Sequence, residues 1–386
     1  VQNDADDMTH NLALYGITGA LGREIQIALE VEHEGIEQLF PVAGVRSAGQ
    51  LIRWRGDTLP VTAPAELKAS DVDFAIFATP AEVVSREAPR LLDAGARVLD
   101  ASGVLASAPL PKALPHPAPV VWPRLSSFAT VDLETETALV LPSPGASTLA
   151  SLLDALTLPE AHLPRLEAVA VTVLLPASHA GRAGIDALSR QAVGLLNYQP
   201  VLEPKPFPAV LAFNAVAPPT DASVLFEAQV ASELRRLVPT LGDIPIELTP
   251  IWIAAFSGIV ASLHLRFAGD VDPATLTKLL AAHPDLVRDD GDEANGGGNG
   301  DGSDIYDLDE PAAPELDADG DSTADDAPRD DPAALSLRSV MDSERIRVGA
   351  PLYGKHTVRL VLMADPIHRT AAAVSTLLTR WMAALA

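Results

Sequence analysis

A short apolar strand at Asn11 to Gly16 runs into Ile17-Thr-Gly-Ala-Leu-Gly22 and then into an amphipathic helical pattern from about Arg23 to Val31. This order constrains the fold more than any other feature. Glycines between a strand and a helix permit the tight turn and close backbone approach that begin the first βαβ unit of a dinucleotide-binding fold. Further apolar strands are expected at Leu39 to Val45, Val72 to Ala78 and Arg97 to Asp100, with a helix from about Glu82 to Ala94. Strands of nearly continuous apolar character alternating with helices indicate a parallel sheet covered on both faces. Val120 to Trp122 and Thr137 to Leu141 read as outer strands.

The pattern changes beyond Leu141-Pro-Ser-Pro-Gly-Ala-Ser-Thr148. A helix from Ser147 to Leu156 precedes a long strand at Leu166 to Leu175, and helices follow at Gly181 to Leu196 and Val224 to Val238. Strands at Ile246 to Phe256 and Ile259 to Phe267, then a helix at Pro273 to Ala282, complete an α+β pattern. Strands at Arg345 to Val348 and Thr357 to Met363 resume the sheet, and Thr370 to Leu385 reads as a closing helix. The expected class is α/β: an N-terminal Rossmann-like NAD(P)-binding domain, a second α+β dimerisation domain, and a C-terminal helix returning to the first domain. The expected boundaries are 8–142, 143–350 and 351–386, the last holding the final strand and helix.

The net charge of -25 is mostly local. Residues 285–335 hold 18 acidic residues against two arginines, a net -16, and include Asn295-Gly-Gly-Gly-Asn-Gly-Asp-Gly302. Such a segment buries too little apolar surface to offset its ordering entropy, so 285–332 reads as an acidic, solvated, disordered insertion. Neither it nor the rest of the chain offers the clustered cations that nucleic acid requires. The chain has no apolar run of about 18 residues, so a membrane partner is not expected and the cytoplasm is the default location.

The 386 residues include no cysteine. Disulfides, thiol catalysis and cysteine-ligated metal are therefore excluded. The omission bears directly on Leu141 to Thr148, a strand-to-helix elbow that would favour a thiolate near a helix N-terminus but holds Ala146 instead. Ser143, Ser147 and Thr148 lie in the same elbow and Ser178-His179 follows the long strand, yet serine at a helix start is more often a cap than a nucleophile. The histidines at 116, 162, 179, 264, 283 and 356 lack paired metal spacing. Glu315 to Asp326 imitates a calcium loop without its first aspartate or final glutamate, so no metal is expected.

The glycine-rich turn nominates Gly16, Thr18, Gly19, Ala20, Leu21 and Gly22 as cofactor-binding residues. After the second strand, an acidic residue would bond the ribose of NAD. Here Arg46 and Ser47 suit a 2'-phosphate and point to NADP.

Assembled in order, these pieces resemble the aspartate-semialdehyde dehydrogenase superfamily, and its Usg-type paralogues in particular. The resemblance covers about residues 11–284 and 336–385. It rests on Gly16 to Gly22, Arg46-Ser-Ala-Gly49, Asp73-Phe-Ala-Ile-Phe-Ala-Thr79, Gly95-Ala-Arg-Val-Leu-Asp-Ala-Ser102, Pro142-Ser-Pro-Gly-Ala146 and Ser178-His-Ala-Gly-Arg182. It implies a homodimer related to enzymes that reduce an acyl phosphate to an aldehyde with NADPH, through a thioester on the cysteine of an Asn-Pro-x-Cys turn. The nucleophile then falls on Ala146, the family's glutamine on Leu175, its substrate arginine near Trp252 and its acid-base histidine on Ile259. No nearby register in Pro250 to Ile259 restores an arginine or histidine. The resemblance therefore implies no catalytic residues, a pocket filled as core, and a pseudoenzyme that retains NADP and acts by binding or scaffolding. Two alternatives stand beside it: an NADP-dependent oxidoreductase acting on a non-covalently bound aldehyde or ketone, and an acidic interaction module with an unidentified protein partner.

Overall fold

The computed structural model describes residues 9–32, 35–107, 109–200, 203–288 and 335–385. The acidic stretch 289–334, with its calcium-loop imitation, lies outside the described residues.

Strands β1 (His10–Tyr15), β2 (Ile36–Val42), β5 (Phe74–Phe77), β6 (Arg97–Asp100) and β7 (Ala138–Val140) form one parallel sheet in the order β2-β1-β5-β6-β7. Consecutive β1 and β2 are joined by helix α1 (Ala20–Glu32), and β5 and β6 by α2 (Ala81–Asp93). The central strand β5 is buried at all four positions, as expected for a sheet covered on both faces. A small antiparallel hairpin, β3 (Leu51–Trp54) with β4 (Asp57–Pro60), was not anticipated. Its outward side chains leave it without the apolar run by which the other strands were read. The expected strand at Val120 to Trp122 is instead a single bridge, Val120 to Val140.

The second sheet is mixed. It contains β8 (Leu166–Leu175), β9 (Ala215–Val216), β10 (Ile246–Ile253), β11 (Ile259–Phe267), β12 (Leu286–Arg288), β13 (Ile346–Val348) and β15 (Thr357–Ala364), with β14 (Leu352–Gly354) paired beside β15. Its order is β12-β13-β15-β11-β8-β10-β9. Strand β11 alternates buried and exposed residues, which marks a sheet with one packed face and one open face. Helices α3 (Pro144–Thr157) and α5 (Thr220–Leu237) cover the packed face, while α4 (Gly181–Leu196) and α6 (Pro273–Ala282) complete this part.

The final helix, α7 (Pro366–Leu385), returns to the first sheet as the sequence suggests. It packs on α1, and its Leu377 and Trp381 share a buried cluster with Leu12, Ile25 and Ile76. It starts four residues earlier than its apolar periodicity indicates, because Asp365 accepts from the Ile367 and His368 amides at 3.0 and 3.3 Å and Pro366 suits a first helical turn.

Asp285, read as the first residue of a solvated insertion, is in fact 1% exposed. Its carboxylate accepts from Ser151 Oγ at 2.6 Å, Arg124 Nη1 at 3.0 Å, Trp122 Nε1 at 3.1 Å and Arg369 Nη2 at 3.5 Å. Leu286–Arg288 then joins the sheet as β12. The aspartate was counted with the acidic run because it is contiguous with it. Its partners come from residues far away in sequence, and these make its burial favourable. Burial pushes its carboxyl up, but Arg369, Ser151, Arg124 and Trp122 outweigh that effect and hold its pKa below the ordinary aspartate value. Among the described residues, no helix is long and apolar enough to cross a membrane.

Candidate functional site

The elbow is formed by β7 and α3. Its helix begins at Pro144, not near Ser147, because Ser143 acts as N-cap and proline at the first position has no amide to satisfy. Ser143 Oγ accepts from the Ala146 amide at 3.4 Å and donates to Glu233 Oε2 at 2.5 Å. The same carboxylate oxygen accepts from the Ser143 amide at 2.8 Å, which places a negative charge at the positive end of α3. Glu233 lies on α5, ninety residues downstream, and no local pattern announces this contact. Ser147 and Thr148 donate to the Pro144 carbonyl at 3.2 and 2.8 Å. Ser143 is therefore the cap, whereas Ser147 and Thr148, expected to cap, lie inside α3 and bond back to its first turn.

Ala146 is wholly buried at the third position of α3. Sheet register brings the other three family positions to this end of the fold. Trp252 at the end of β10 pairs in parallel with Leu175 at the end of β8, and Val260 at the start of antiparallel β11 pairs with Leu174. Ile259 stands one residue before Val260. Leu175 and Ile259 are 2% and 1% exposed, and both share a core cluster with Ala146 against which Trp252 packs. Four positions scattered over more than a hundred residues are thus gathered into one apolar neighbourhood.

The neighbourhood is not entirely filled. A cleft of about 510 Å3 lies between the glycine-rich turn and the elbow, with Gly19, Ala20 and Leu21 on one side and Pro144 and Ile259 on the other. Of the four positions only Ile259 lines it, so Ala146 and Leu175 are closed as core and the open volume lies beside them. Apolar side chains occupy the four positions, with Trp252 only partly buried, whereas the gap between the two sheets depends on backbone placement.

Ser178 and His179 also border this cleft. The His179 ring makes edge contacts with Trp252 and Phe226, at centroid distances of 5.4 and 6.1 Å. The residue is exposed, and the desolvation from the protein packed beside it holds its pKa below the ordinary histidine value. Among the described residues no carboxylate is paired with this imidazole to orient it as a base. Among the described residues no group of three or more histidines, aspartates or glutamates could hold a metal ion.

The nominated turn residues have different structural roles. Gly16 has φ of +84°, and a Cβ there would lie 2.2 Å from the Ala78 carbonyl oxygen. A Cβ on Gly22 would lie 2.2 Å from the Gly16 oxygen. Both glycines are therefore required by the turn itself, which lets α1 pack against the ends of β1 and β5. Thr18 Oγ1 lies 3.4 Å from Ser47 Oγ, bringing the loop after β2 against the turn. Arg46 is exposed on that loop.

The family described as semialdehyde dehydrogenase, NAD binding domain matches residues 11–144. A USG-1 protein homolog of Pseudomonas aeruginosa is 31% identical over 277 residues, which span 70% of this chain and 78% of the relative. The chain belongs to the aspartate-semialdehyde dehydrogenase superfamily. It is a USG-1-like paralogue that lacks the catalytic cysteine. Solved members of the superfamily share its fold. The structure of a probable aspartate-semialdehyde dehydrogenase from Pseudomonas aeruginosa superposes with a TM-score of 0.75 at 24% identity, covering 97% of this chain and 98% of that one. The Candida albicans aspartate-semialdehyde dehydrogenase solved with NADP gives 0.63 at 14% identity, covering 98% and 99%.

Proposed function

We propose that this chain is a catalytically silent dehydrogenase relative that keeps an NADP-binding turn and acts through binding or scaffolding. The observation that carries the reading is the apolar set Ala146, Leu175, Trp252 and Ile259 at the positions assigned to the superfamily's thioester chemistry. A methyl group forms no acyl-enzyme, and its apolar neighbours cannot orient a nucleophile, hold a carboxylate or transfer a proton.

Retention of the cofactor is supported by the open side of the turn. Gly19, Ala20 and Leu21 border the cleft at the start of α1, where backbone amides and the helix dipole suit a pyrophosphate. Arg46 and Ser47 lie on the loop after β2, with Ser47 Oγ 3.4 Å from Thr18 Oγ1 of the turn, which supports NADP over NAD. In bound form the cofactor would supply hydride chemistry, while these residues would hold and orient it. We read residues 8–142 as the cofactor domain and 143–350 as the second domain. The open face of its sheet, with Ser262, His264 and Arg266 exposed on β11, is assigned to a homodimer.

The cleft of about 510 Å3 beside the turn favours one further reading, direct hydride transfer to a non-covalently bound aldehyde or ketone. A single set of assays separates the two. Calorimetry should detect saturable NADPH binding, while aspartate semialdehyde with NADP and phosphate should yield no NADPH above background. Clear phosphate-dependent turnover would sink the silent reading. NADPH oxidation by members of a carbonyl panel without phosphate would establish the second one.

A further inference from the structure

We infer that the cleft between the two sheets is a binding site for an amphipathic monocarboxylate, a single anionic head on an apolar chain or ring. The inference deepens the binding role proposed above and rests on it. The cleft's volume of about 510 Å3 is ordinary for a small-molecule site. Its walls are apolar, with Leu21, Ala78, Pro176, Ile259 and Ile367 among them, so the occupant's body must be apolar to gain from entering.

The sign of the head follows from the charged groups at the rim. Among the described residues no aspartate or glutamate borders the cleft, whereas Arg182 does, beside Ser178 and His179. Among the described residues Arg182 has one loose partner, Asp186 at 3.6 Å, and both side chains are well exposed, so this pair holds the guanidinium only weakly. The backbone adds to the same sign. Helix α4 begins at Gly181 with no side-chain cap and no acidic residue in its first turn, and its first residues border the cleft. The N-termini of α1, α2, α3 and α7 also reach it. That of α1 is assigned to the cofactor pyrophosphate, Glu82 lies in the first turn of α2, and Glu233 and Asp365 counter α3 and α7. The remaining positive end is therefore the Ser178 to Arg182 corner, and the geometry assigns the carboxylate there with the apolar body toward Ile259 and Ile367.

The test is calorimetric titration of the full chain with decanoate, decyltrimethylammonium and decanol. Decanoate should bind saturably with one site per chain and at least about tenfold more tightly than the cation or the alcohol. Arg182→Gln, an exposed change that should leave the circular dichroism spectrum unaltered, should remove most of that preference. Ile259→Trp should abolish binding by filling the cleft. Ala183→Trp at the rim provides a second obstruction on an exposed position should Ile259→Trp fail to fold. Absence of saturable decanoate binding, equal binding of the three probes, or full affinity in Arg182→Gln would overturn the inference. These outcomes leave the silent reading intact, because that reading falls to phosphate-dependent turnover or to NADPH oxidation with the carbonyl panel, both measured without decanoate.

Discussion

Replacing Asp285 with alanine removes an acceptor shared by Trp122, Arg124, Ser151 and Arg369. The side chain is lost from the junction of α3, α7, the loop between β6 and β7 and the start of β12. Arg369 is 2% exposed, and without the carboxylate its charge is left, among the described residues, with the Glu344 carbonyl at 2.7 Å, the Ser147 carbonyl at 3.5 Å and the face of the Trp122 ring at 5.3 Å. Breaking a buried pair in this way typically destabilises by about 3–5 kcal/mol. An unfolding entropy of about 2.1 cal/mol/K per residue gives roughly 0.7 kcal/mol/K for the described body, so Tm should fall by roughly 4–7 °C. Differential scanning calorimetry at pH 7 measures this directly. The sign with pH is also fixed. A carboxylate with a depressed folded pKa stabilises the protein above its unfolded pKa, and that contribution is lost as pH falls through the folded value. The gap between wild type and Asp285→Ala should therefore narrow below about pH 4. A drop of less than about 1 °C at pH 7, or a gap that widens on acidification, would refute the assignment of Asp285 as a buried ionised hub.

The other predictions concern the elbow and the turn. Ala146→Cys alone should give no phosphate-dependent oxidation of aspartate semialdehyde, since Leu175, Trp252 and Ile259 supply none of the missing polar partners; substantial activity would show the apolar pocket was misjudged. Gly22→Ala should destabilise the fold by about 2–4 kcal/mol, because its methyl meets the Gly16 carbonyl oxygen at 2.2 Å. Gly19→Ala meets the same oxygen at 3.1 Å and should change stability by no more than about 1 kcal/mol while weakening NADPH binding at least roughly tenfold. Urea denaturation and calorimetry on the same samples separate these effects. Arg46→Ala should lower affinity for NADPH roughly ten- to a hundredfold and leave NADH unchanged, since only the 2'-phosphate contact is lost; equal losses for both cofactors would remove Arg46 from that role.

Elements with a strong local period were legible. The sequence bounds of β6, β8, α4, β11 and α6 coincide with the folded ones, because each carries an unbroken apolar run or helical stripe closed by a glycine, proline or cap. Helix starts were read late wherever the first turn was polar or proline-led, as at Pro144, Thr220 and Pro366. The hairpin of β3 and β4 escaped because neither strand buries a full face. In the site, Ala146 and its three apolar partners were recognised by family position. The contact of Glu233 with Ser143 and the setting of His179 against Phe226 and Trp252 were not, since each depends on side chains brought from distant elements.

The sequence alone determined the order of strands and helices, the glycine-rich turn and the loss of thiol chemistry, because these follow from local periodicity, backbone steric limits and the absence of an atom type. Only the tertiary structure decided that Asp285 is a buried hub and that a cleft remains beside the four apolar positions. Burial of a charge depends on partners the chain brings back from far away, and an empty volume is a property of how two sheets are spaced. Neither quantity is written in any stretch of neighbouring residues.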